Sequence, residues 1–193
     1  GMYIRRTTTI SNGVGSPVTA NSQWVGPVIA ATEFVWPNAS NTGVARHPGV
    51  TRTPYTGSQT ITASNVTLQN LNITGQLRVT GANFKMINCQ LTFQGSWGVD
   101  AEGAQNPLFE DCTFIGTGTA HRQAAILFGG GGLAHRCNIS GAENGIMFSG
   151  SNATARYCYI HSLVFIGSDP HVDGIQSGGG SNHTVEDCWI HSY

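Results

Sequence analysis

Short alternations of apolar and polar residues recur from about residue 53 to the end of the chain. Six segments share one pattern, which begins with Asn or, in one segment, Gly. An apolar residue follows three positions later, then two corner residues, and then two apolar residues with one residue between them. Alternation of this kind predicts short β-strands, and the slip of one residue at the corner predicts a bend between two strands. The segments are 65–73, 83–91, 106–114, 131–139, 152–160 and 182–190.

When the six segments are aligned, all five cysteines fall in one column, which reads Leu71, Cys89, Cys112, Cys137, Cys158 and Cys188. Five of the six turn positions are Asn, a residue that tolerates left-handed backbone and bonds to neighbouring backbone or to a stacked amide. Side by side on parallel strands, cysteine β-carbons would be about 4.8 Å apart, too far for a disulfide. We therefore expect a reduced, buried cysteine ladder, and neither disulfides nor a metal centre.

The spacing of this column favours one fold class. Successive members are 18 to 30 residues apart, which is too short for helix-turn-helix or propeller repeats of roughly 34 to 40 residues. A further short strand precedes each turn position, so each repeat carries three strands. Stacked repeats would pair every strand with its counterpart above and below. The sequence therefore predicts a parallel β-helix.

Residues 1–52 lack the repeat, and we interpret them as an N-terminal cap or attachment segment, with the β-helix spanning residues 53–193. The added length of the longer repeats lies mainly in residues 116–123 and 161–172, and insertions on one face of a solenoid often form its working surface. The chain stops inside the last strand of the sixth repeat. We expect either that the natural chain continues or that a partner covers this end.

Composition narrows the class of protein. Charged residues make up only 10% of the chain, Gly accounts for 26 residues, and the net charge is −1, whereas ordinary domains have about 25% charged residues. This composition is typical of a β-rich extracellular or virion protein, and it argues against nucleic-acid binding by counterion release. No apolar run is long enough to insert in a membrane, and no secretory signal peptide is visible at the N-terminus.

Three stretches together resemble a known group: residues 37–44, the corner 65–68, and residues 171–176 taken with 182–190. They are similar to right-handed parallel β-helix proteins of the pectate-lyase-like superfamily from actinobacteria and their phages, over about residues 35–193. The resemblance implies an all-β fold, a right-handed single-stranded parallel β-helix of about six coils with a non-repetitive N-terminal segment. Its relatives include pectate and alginate lyases, polysaccharide hydrolases, epimerases and phage tail spikes.

The chain departs from two enzyme groups that share this fold. The acidic calcium ligands and catalytic arginine of calcium-dependent pectate lyases cannot be placed, and no Asp-Asp pair of the polygalacturonase kind exists. We therefore predict no cofactor, and Ca²⁺ has no supporting motif. The fold alone does not fix the function.

The densest polar cluster spans the longest insertion and the strand after it, and comprises His161, Asp169, His171, Asp173 and Gln176. Lyase chemistry on a uronic acid needs a cation for the carboxylate, a base for the C5 proton and an acid for the leaving oxygen. Arg122, beside His121 in the other long insertion, would supply the cation, and His171 or His161 the base. Glycoside hydrolysis would instead need two carboxylates about 5–9.5 Å apart, for which Asp169 and Asp173 are the candidates.

A structural interpretation of this cluster stands beside the catalytic one. Asp173-Gly174 is a turn-type dipeptide, so Asp173 would hold a corner, and His171 would pack against the neighbouring insertion. In the catalytic interpretation, His121 and Gln176 are predicted to bind substrate in a groove that the insertions line along the axis. Both interpretations remain open at the level of sequence.

Tyr159 and Trp189 fall between inward positions of the last strands and are therefore predicted to point outward. Exposed aromatic rings stack on sugar faces, but they also form the interfaces of trimers, and large apolar patches mark either kind of surface. Three functions follow from the sequence. The first is a tail-spike or tail-associated phage protein that binds a surface polysaccharide, with or without depolymerising it, and a homotrimer is the expected assembly. The alternatives are a bacterial polysaccharide lyase or hydrolase and a purely structural virion solenoid.

Overall fold

A computed structural model describes residues 2–3, 33–118, 123–165 and 172–191. These residues form short strands and one 3-10 helix, Gly43–Arg46. Among them, no helix is both long and apolar enough to span a membrane.

The strands form three sheets, and each coil of the chain contributes one strand to each sheet in turn. Sheet 1 contains Thr53–Pro54, Leu71–Thr74, Gln90–Phe93, Thr113–Gly116, Asn138–Ser140, Tyr159–His161 and Trp189–His191. Sheet 2 contains Thr60–Ile61, Leu77–Val79, Trp97–Ala101, Ala124–Phe128, Asn144–Phe148 and Ile175–Ser177. Sheet 3 contains Thr67–Gln69, Lys85–Ile87, Leu108–Glu110, Leu133–His135, Thr154–Arg156 and Thr184–Glu186.

All of these strands pair in parallel with their counterparts in the neighbouring coils, as in Asn138 opposite Tyr159 and Tyr159 opposite Trp189. The predicted parallel β-helix is thus confirmed. One antiparallel strand, Met2–Tyr3, joins sheet 1 beside Trp189–His191 and pairs with the backbone at the last coil.

Two of the three corners of each coil use left-handed backbone. The predicted Asn column between sheets 2 and 3 has φ angles from 51° to 66°, and Gly131 replaces Asn at one position. Asn tolerates this conformation better than most residues, and the Asn83 Nδ2 group donates a hydrogen bond to Asn65 Oδ1 at 3.0 Å in the coil below. The two-residue corner between sheets 3 and 1 is also left-handed at its second residue, which is Asn70, Asn88, Asp111, Arg136, Tyr157 or Asp187.

The interior is a continuous apolar column. All five cysteines are free and buried, as the sequence predicted, and thiols such as that of Cys112 contact a backbone carbonyl of the coil below, Met86 O at 3.2 Å. Buried phenylalanines stack beside them, with the rings of Phe109 and Phe128 centred 5.5 Å apart. Burial raises the pKa of the Cys158 thiol well above its ordinary value, so this ladder behaves as a set of small hydrophobic side chains.

Residues 33–52, here called the N-terminal segment, run along the outside of the β-helix at the corner between sheets 3 and 1. Trp36 contacts Trp189 in the last coil. Further along, Gly43 N–H donates to Arg136 O at 2.7 Å, and Arg52 donates to Asn88 O at 3.1 Å two coils lower. This part of the chain therefore covers a side of the solenoid rather than an open end. The division of the chain at residue 52 stays a prediction.

Candidate functional site

A pocket of about 440 Å³ lies where the N-terminal segment crosses the outer face of sheet 1 at its last two coils. One wall comes from the segment and the other from the β-helix. The lining residues are Val35, Trp36, Pro37, Asn38, Tyr159, Trp189 and His191.

The β-helix wall follows from the alternation of the last two strands of sheet 1. Ile160 is buried in the core, so its neighbour Tyr159 faces outward, and Trp189 occupies the same position one coil later. Both aromatic side chains are half-buried and line the pocket, which confirms their predicted orientation. Their role in binding stays a prediction.

The segment wall is held by a turn around Asn38. The Asn38 side chain accepts a hydrogen bond from Ser40 N–H at 2.8 Å, and Asn41 Nδ2 donates to Trp36 O at 2.9 Å. These bonds fix the backbone on both sides of Pro37. The Trp36 ring then meets the Trp189 ring edge to face, with centroids 6.2 Å apart and planes at 80°.

His161 extends the aromatic surface beside the pocket. Its ring stacks on Tyr159 with centroids 4.3 Å apart. Burial lowers the pKa of His161, and the nearby His191 lowers it further, which favours the neutral form of the ring. Its partners assign the tautomer: Nε2–H donates to Asn138 Oδ1 at 2.9 Å, and Ser162 Oγ–H donates to Nδ1 at 3.0 Å. The imidazole is therefore a fixed, uncharged platform in this structure.

The described residues that line the pocket include amide and aromatic side chains, and none of them is Asp, Glu, Lys or Arg. Below Tyr159 the outer face of sheet 1 carries Asn138, Thr113, Gln90 and Asn72, but Thr113 is buried under the N-terminal segment, so the polar, uncharged surface open to a ligand is that of the pocket. Amides and hydroxyls donate and accept hydrogen bonds without charge. This surface is suited to an uncharged ligand that has many hydroxyl groups and an apolar face.

Asp173 and Gln176 lie at the start of a sheet 2 strand, and neither lines the pocket. Both meet the buried Asn144 side chain, which accepts from Asp173 N–H at 3.0 Å and donates to Gln176 Oε1 at 3.2 Å. The bond at Asp173 is made by its backbone, and the arrangement ties the end of the insertion to the sheet. The predicted catalytic and binding roles of these two residues stay predictions.

Four other predicted site residues, His121, Arg122, Asp169 and His171, lie outside the described residues. Within the described part of the chain, no group of three or more His, Cys, Asp or Glu side chains could hold a metal ion.

A second polar cluster lies near the pocket and was not predicted as a functional site. The Asp111 cluster consists of Asp111, Glu110, Arg136, Arg46 and His47. Arg136 donates to both carboxylates, at 2.6 Å to Asp111 Oδ1 and 2.7 Å to Glu110 Oε1. From the N-terminal segment, Arg46 Nε and His47 Nε2 each lie 3.0 Å from an Asp111 oxygen. The Asp111 side chain is only 7% exposed, so these partners compensate a buried charge.

Trp36 was likewise not singled out as a site residue. The sequence feature that could have identified it is the Asn-x-Ser-Asn turn directly after Trp36-Pro37, because such a turn fixes the backbone that carries the aromatic side chain. Nothing in the sequence placed that turn beside the last coil.

Comparison with protein families gives one match. The model of the family described as the right handed beta helix region matches residues 55–193. Searches of curated proteins and of solved structures found no match.

Proposed function

The chain belongs to the right-handed β-helix family, and on that premise we propose that it binds a polysaccharide through the pocket between Trp36 and Trp189. We infer that the chain is a protein of the phage tail-spike or tail-associated type. The observation that carries the proposal is the two-walled aromatic pocket on the outer face of sheet 1. Its volume of about 440 Å³ lies within the range of roughly 300–1,000 Å³ that ligand sites have.

The chemistry of the pocket matches a sugar ring. A pyranose has an apolar face of C–H groups and an equatorial rim of hydroxyls. Trp189, Trp36 and Tyr159 offer apolar surface with a polar handle, and Asn38 and His191, which also line the pocket, have hydrogen-bonding groups. Such rigid aromatic anchors supply most of the binding energy in many recognition sites.

The sugar that enters the pocket is uncharged. A carboxylate moved from water to this site would lose hydration without gaining a cationic partner, which is costly. Among the residues that the structure describes, no lysine or arginine lines the pocket to compensate that cost. The proposal therefore favours neutral hexoses and N-acetylhexosamines over uronates at this position.

Binding rather than cleavage is the activity assigned to the pocket itself. Hydrolysis of a glycoside normally requires two carboxylic acid side chains on either side of the scissile bond, and no carboxylate of the described part of the chain lines this pocket. Lyase or hydrolase activity would depend on the insertion residues Asp169 and His171 instead.

The test is a panel of neutral and uronate-containing polysaccharides, with binding measured by calorimetry. Release of reducing ends and of unsaturated sugars is monitored in the same samples, so that cleavage is detected if it occurs. We expect a neutral glycan to bind, and Trp189→Ala to weaken it by about tenfold or more. Trp97→Ala, in a sheet 2 strand away from the pocket, is the matched control. Absence of binding across the panel, or equal affinity of Trp189→Ala and the parent chain, would overturn the proposal.

A further inference from the structure

We propose that Asp111 is a positioning residue for the pocket, which it completes by holding the N-terminal segment against the β-helix. The inference rests on the proposed function, because it concerns the same pocket. Asp111 does not line the pocket; it acts on the segment that provides one wall.

The connection between Asp111 and the wall is a short chain of hydrogen bonds. Arg46, which pairs with Asp111, donates from Nη1 to Asn41 O at 3.1 Å. Asn41 in turn accepts from Asn38 N–H at 2.6 Å through its side chain, and Asn38 lines the pocket. Arg46 and the wall therefore move together.

Backbone contacts dock the segment at the same place. Gly43 N–H donates to Arg136 O at 2.7 Å, and Val44 N–H donates to Thr113 Oγ1 at 3.0 Å. Gly43 has a φ of +59°, and a Cβ atom on it would meet Thr113 Oγ1 and lie 2.7 Å from Asn138 Cβ. The segment thus approaches the sheet closely only because residue 43 is glycine.

The consequence for binding follows from the fraction of molecules in which the segment is docked. A ligand that needs both walls binds with an apparent dissociation constant equal to the intrinsic value divided by that fraction. Removing the charge of Asp111 leaves Arg136 with Glu110 but removes the carboxylate with which Arg46 and His47 of the segment pair, so the docked fraction falls. The two-walled pocket then forms in only part of the molecules.

The variant that tests this is Asp111→Asn. Asn occupies the same left-handed corner position in two earlier coils, as Asn70 and Asn88, so the substitution removes the charge and keeps the turn. Asp100→Asn is the matched control, because it breaks the exposed Arg78–Asp100 pair of sheet 2 instead. Hydrogen exchange followed by mass spectrometry reports on docking, and calorimetry with the neutral polysaccharide of the panel that binds the parent chain most tightly reports on affinity.

For Asp111→Asn we expect about tenfold faster exchange in residues 33–50, where Gly43 and Val44 donate to the β-helix, with exchange of the sheet 2 strands unchanged. Glycan affinity should fall by about fivefold to tenfold. Gly43→Ala, which carries no charge change, should produce the same pair of effects. A general loss of structure would instead raise exchange in all three sheets.

Two results would overturn the inference. One is an unchanged exchange rate of the segment in both Asp111→Asn and Gly43→Ala. This result overturns the inference whether or not a glycan that binds has been identified. The other is faster exchange of the segment in Asp111→Asn while this variant keeps the parent's affinity for a glycan, provided that Trp189→Ala weakens binding of the same glycan. If no glycan binds the parent chain, the proposed function fails, while the exchange experiment still decides whether Asp111 holds the wall.

Discussion

The indole ring of Trp36 packs edge to face on that of Trp189, with centroids 6.2 Å apart and planes at 80°. One residue comes from the non-repetitive segment and the other from the last coil of the β-helix. Because each tryptophan forms one wall of the same pocket, the candidate binding site is assembled from two distant parts of the chain.

We predict that Trp36→Ala weakens glycan binding about as strongly as Trp189→Ala, by roughly tenfold, because either substitution removes an aromatic wall. The free energy of unfolding of the β-helix should change little for Trp36→Ala, since Trp36 lies outside the core column. Calorimetric titration with chemical denaturation checks both statements, with Trp97→Ala as control. Full affinity in Trp36→Ala would show that the segment contributes no wall.

The fold was predictable because its rules are local and repeat in every coil. Cys112, Cys137 and Cys158 share a column because each faces inward between two outward residues. The alternation of apolar and polar residues predicts this inward orientation from the sequence alone. The Asn column was predictable for the same reason: a left-handed turn recurs at one position, and few residues tolerate it. The outward direction of Tyr159 followed from Ile160 being inward.

The pocket could not be predicted in the same way. Trp36 lies in a segment without period, so nothing in its neighbourhood indicates which coil it contacts. Glu110-Asp111 has the same residues as the corner Glu186-Asp187, and its partners Arg46 and His47 are far away in sequence. Interactions of this kind depend on where an irregular segment docks, which the repeat pattern does not encode.

At the Asn corners, substitution by alanine should destabilise the chain more than substitution by glycine. Asn83 has a φ of 55°, and Asn83→Ala should lower the free energy of unfolding by about 1–2 kcal/mol, because alanine adopts left-handed backbone at a cost. Asn83→Gly should cost less, since Gly131 already occupies the same column. Urea denaturation of the two variants measures the difference. Equal stabilities would mean that backbone conformation does not decide this position.

Gly145 has no room for a side chain. An added Cβ would lie 2.5 Å from both Gly174 O and Ile160 Cγ2, so Gly145→Ala should destabilise the chain by about 1–3 kcal/mol through overpacking. Gly49→Ala is the matched control, because nothing lies within 4 Å of its added Cβ. Thermal or urea unfolding of both variants tests this, and similar midpoints for the two would contradict it.

The five thiols should be inert in the folded protein. All are free and buried, whereas reaction requires an accessible thiolate. Burial also raises the pKa of Cys112 and Cys158, while the hydrogen bond with Cys112 lowers the pKa of Cys89, so the slow reaction of Cys89 rests on its lack of exposure alone. We expect alkylation at pH 8 to be at least about a hundredfold slower in native buffer than in denaturant, where all five react. Mass spectrometry counts the labelled cysteines. Rapid labelling of the native chain, or a disulfide among the five, would contradict the ladder.

As the pH falls, the parent chain should lose stability that the Asp111→Asn variant lacks at every pH, because the Asp111 carboxylate helps to hold the N-terminal segment. Burial by itself raises the pKa of Asp111, but hydrogen bonds from Arg136 and His47, with the nearby Arg46, outweigh it and hold the pKa below the ordinary 3.8. Glu110 also faces this group through Arg136. The carboxylate therefore binds its proton less readily in the folded chain than in the unfolded one.

Stabilisation from such a group is fully present above its unfolded pKa and is lost as the pH falls through the lower folded value. The parent chain should thus exceed Asp111→Asn in free energy of unfolding by about 1–3 kcal/mol at neutral pH, and the gap should close below about pH 3.8. Denaturant titrations of both chains across this range measure the gap. A difference that persists undiminished in acid would mean that the Asp111 charge does not stabilise the docked segment.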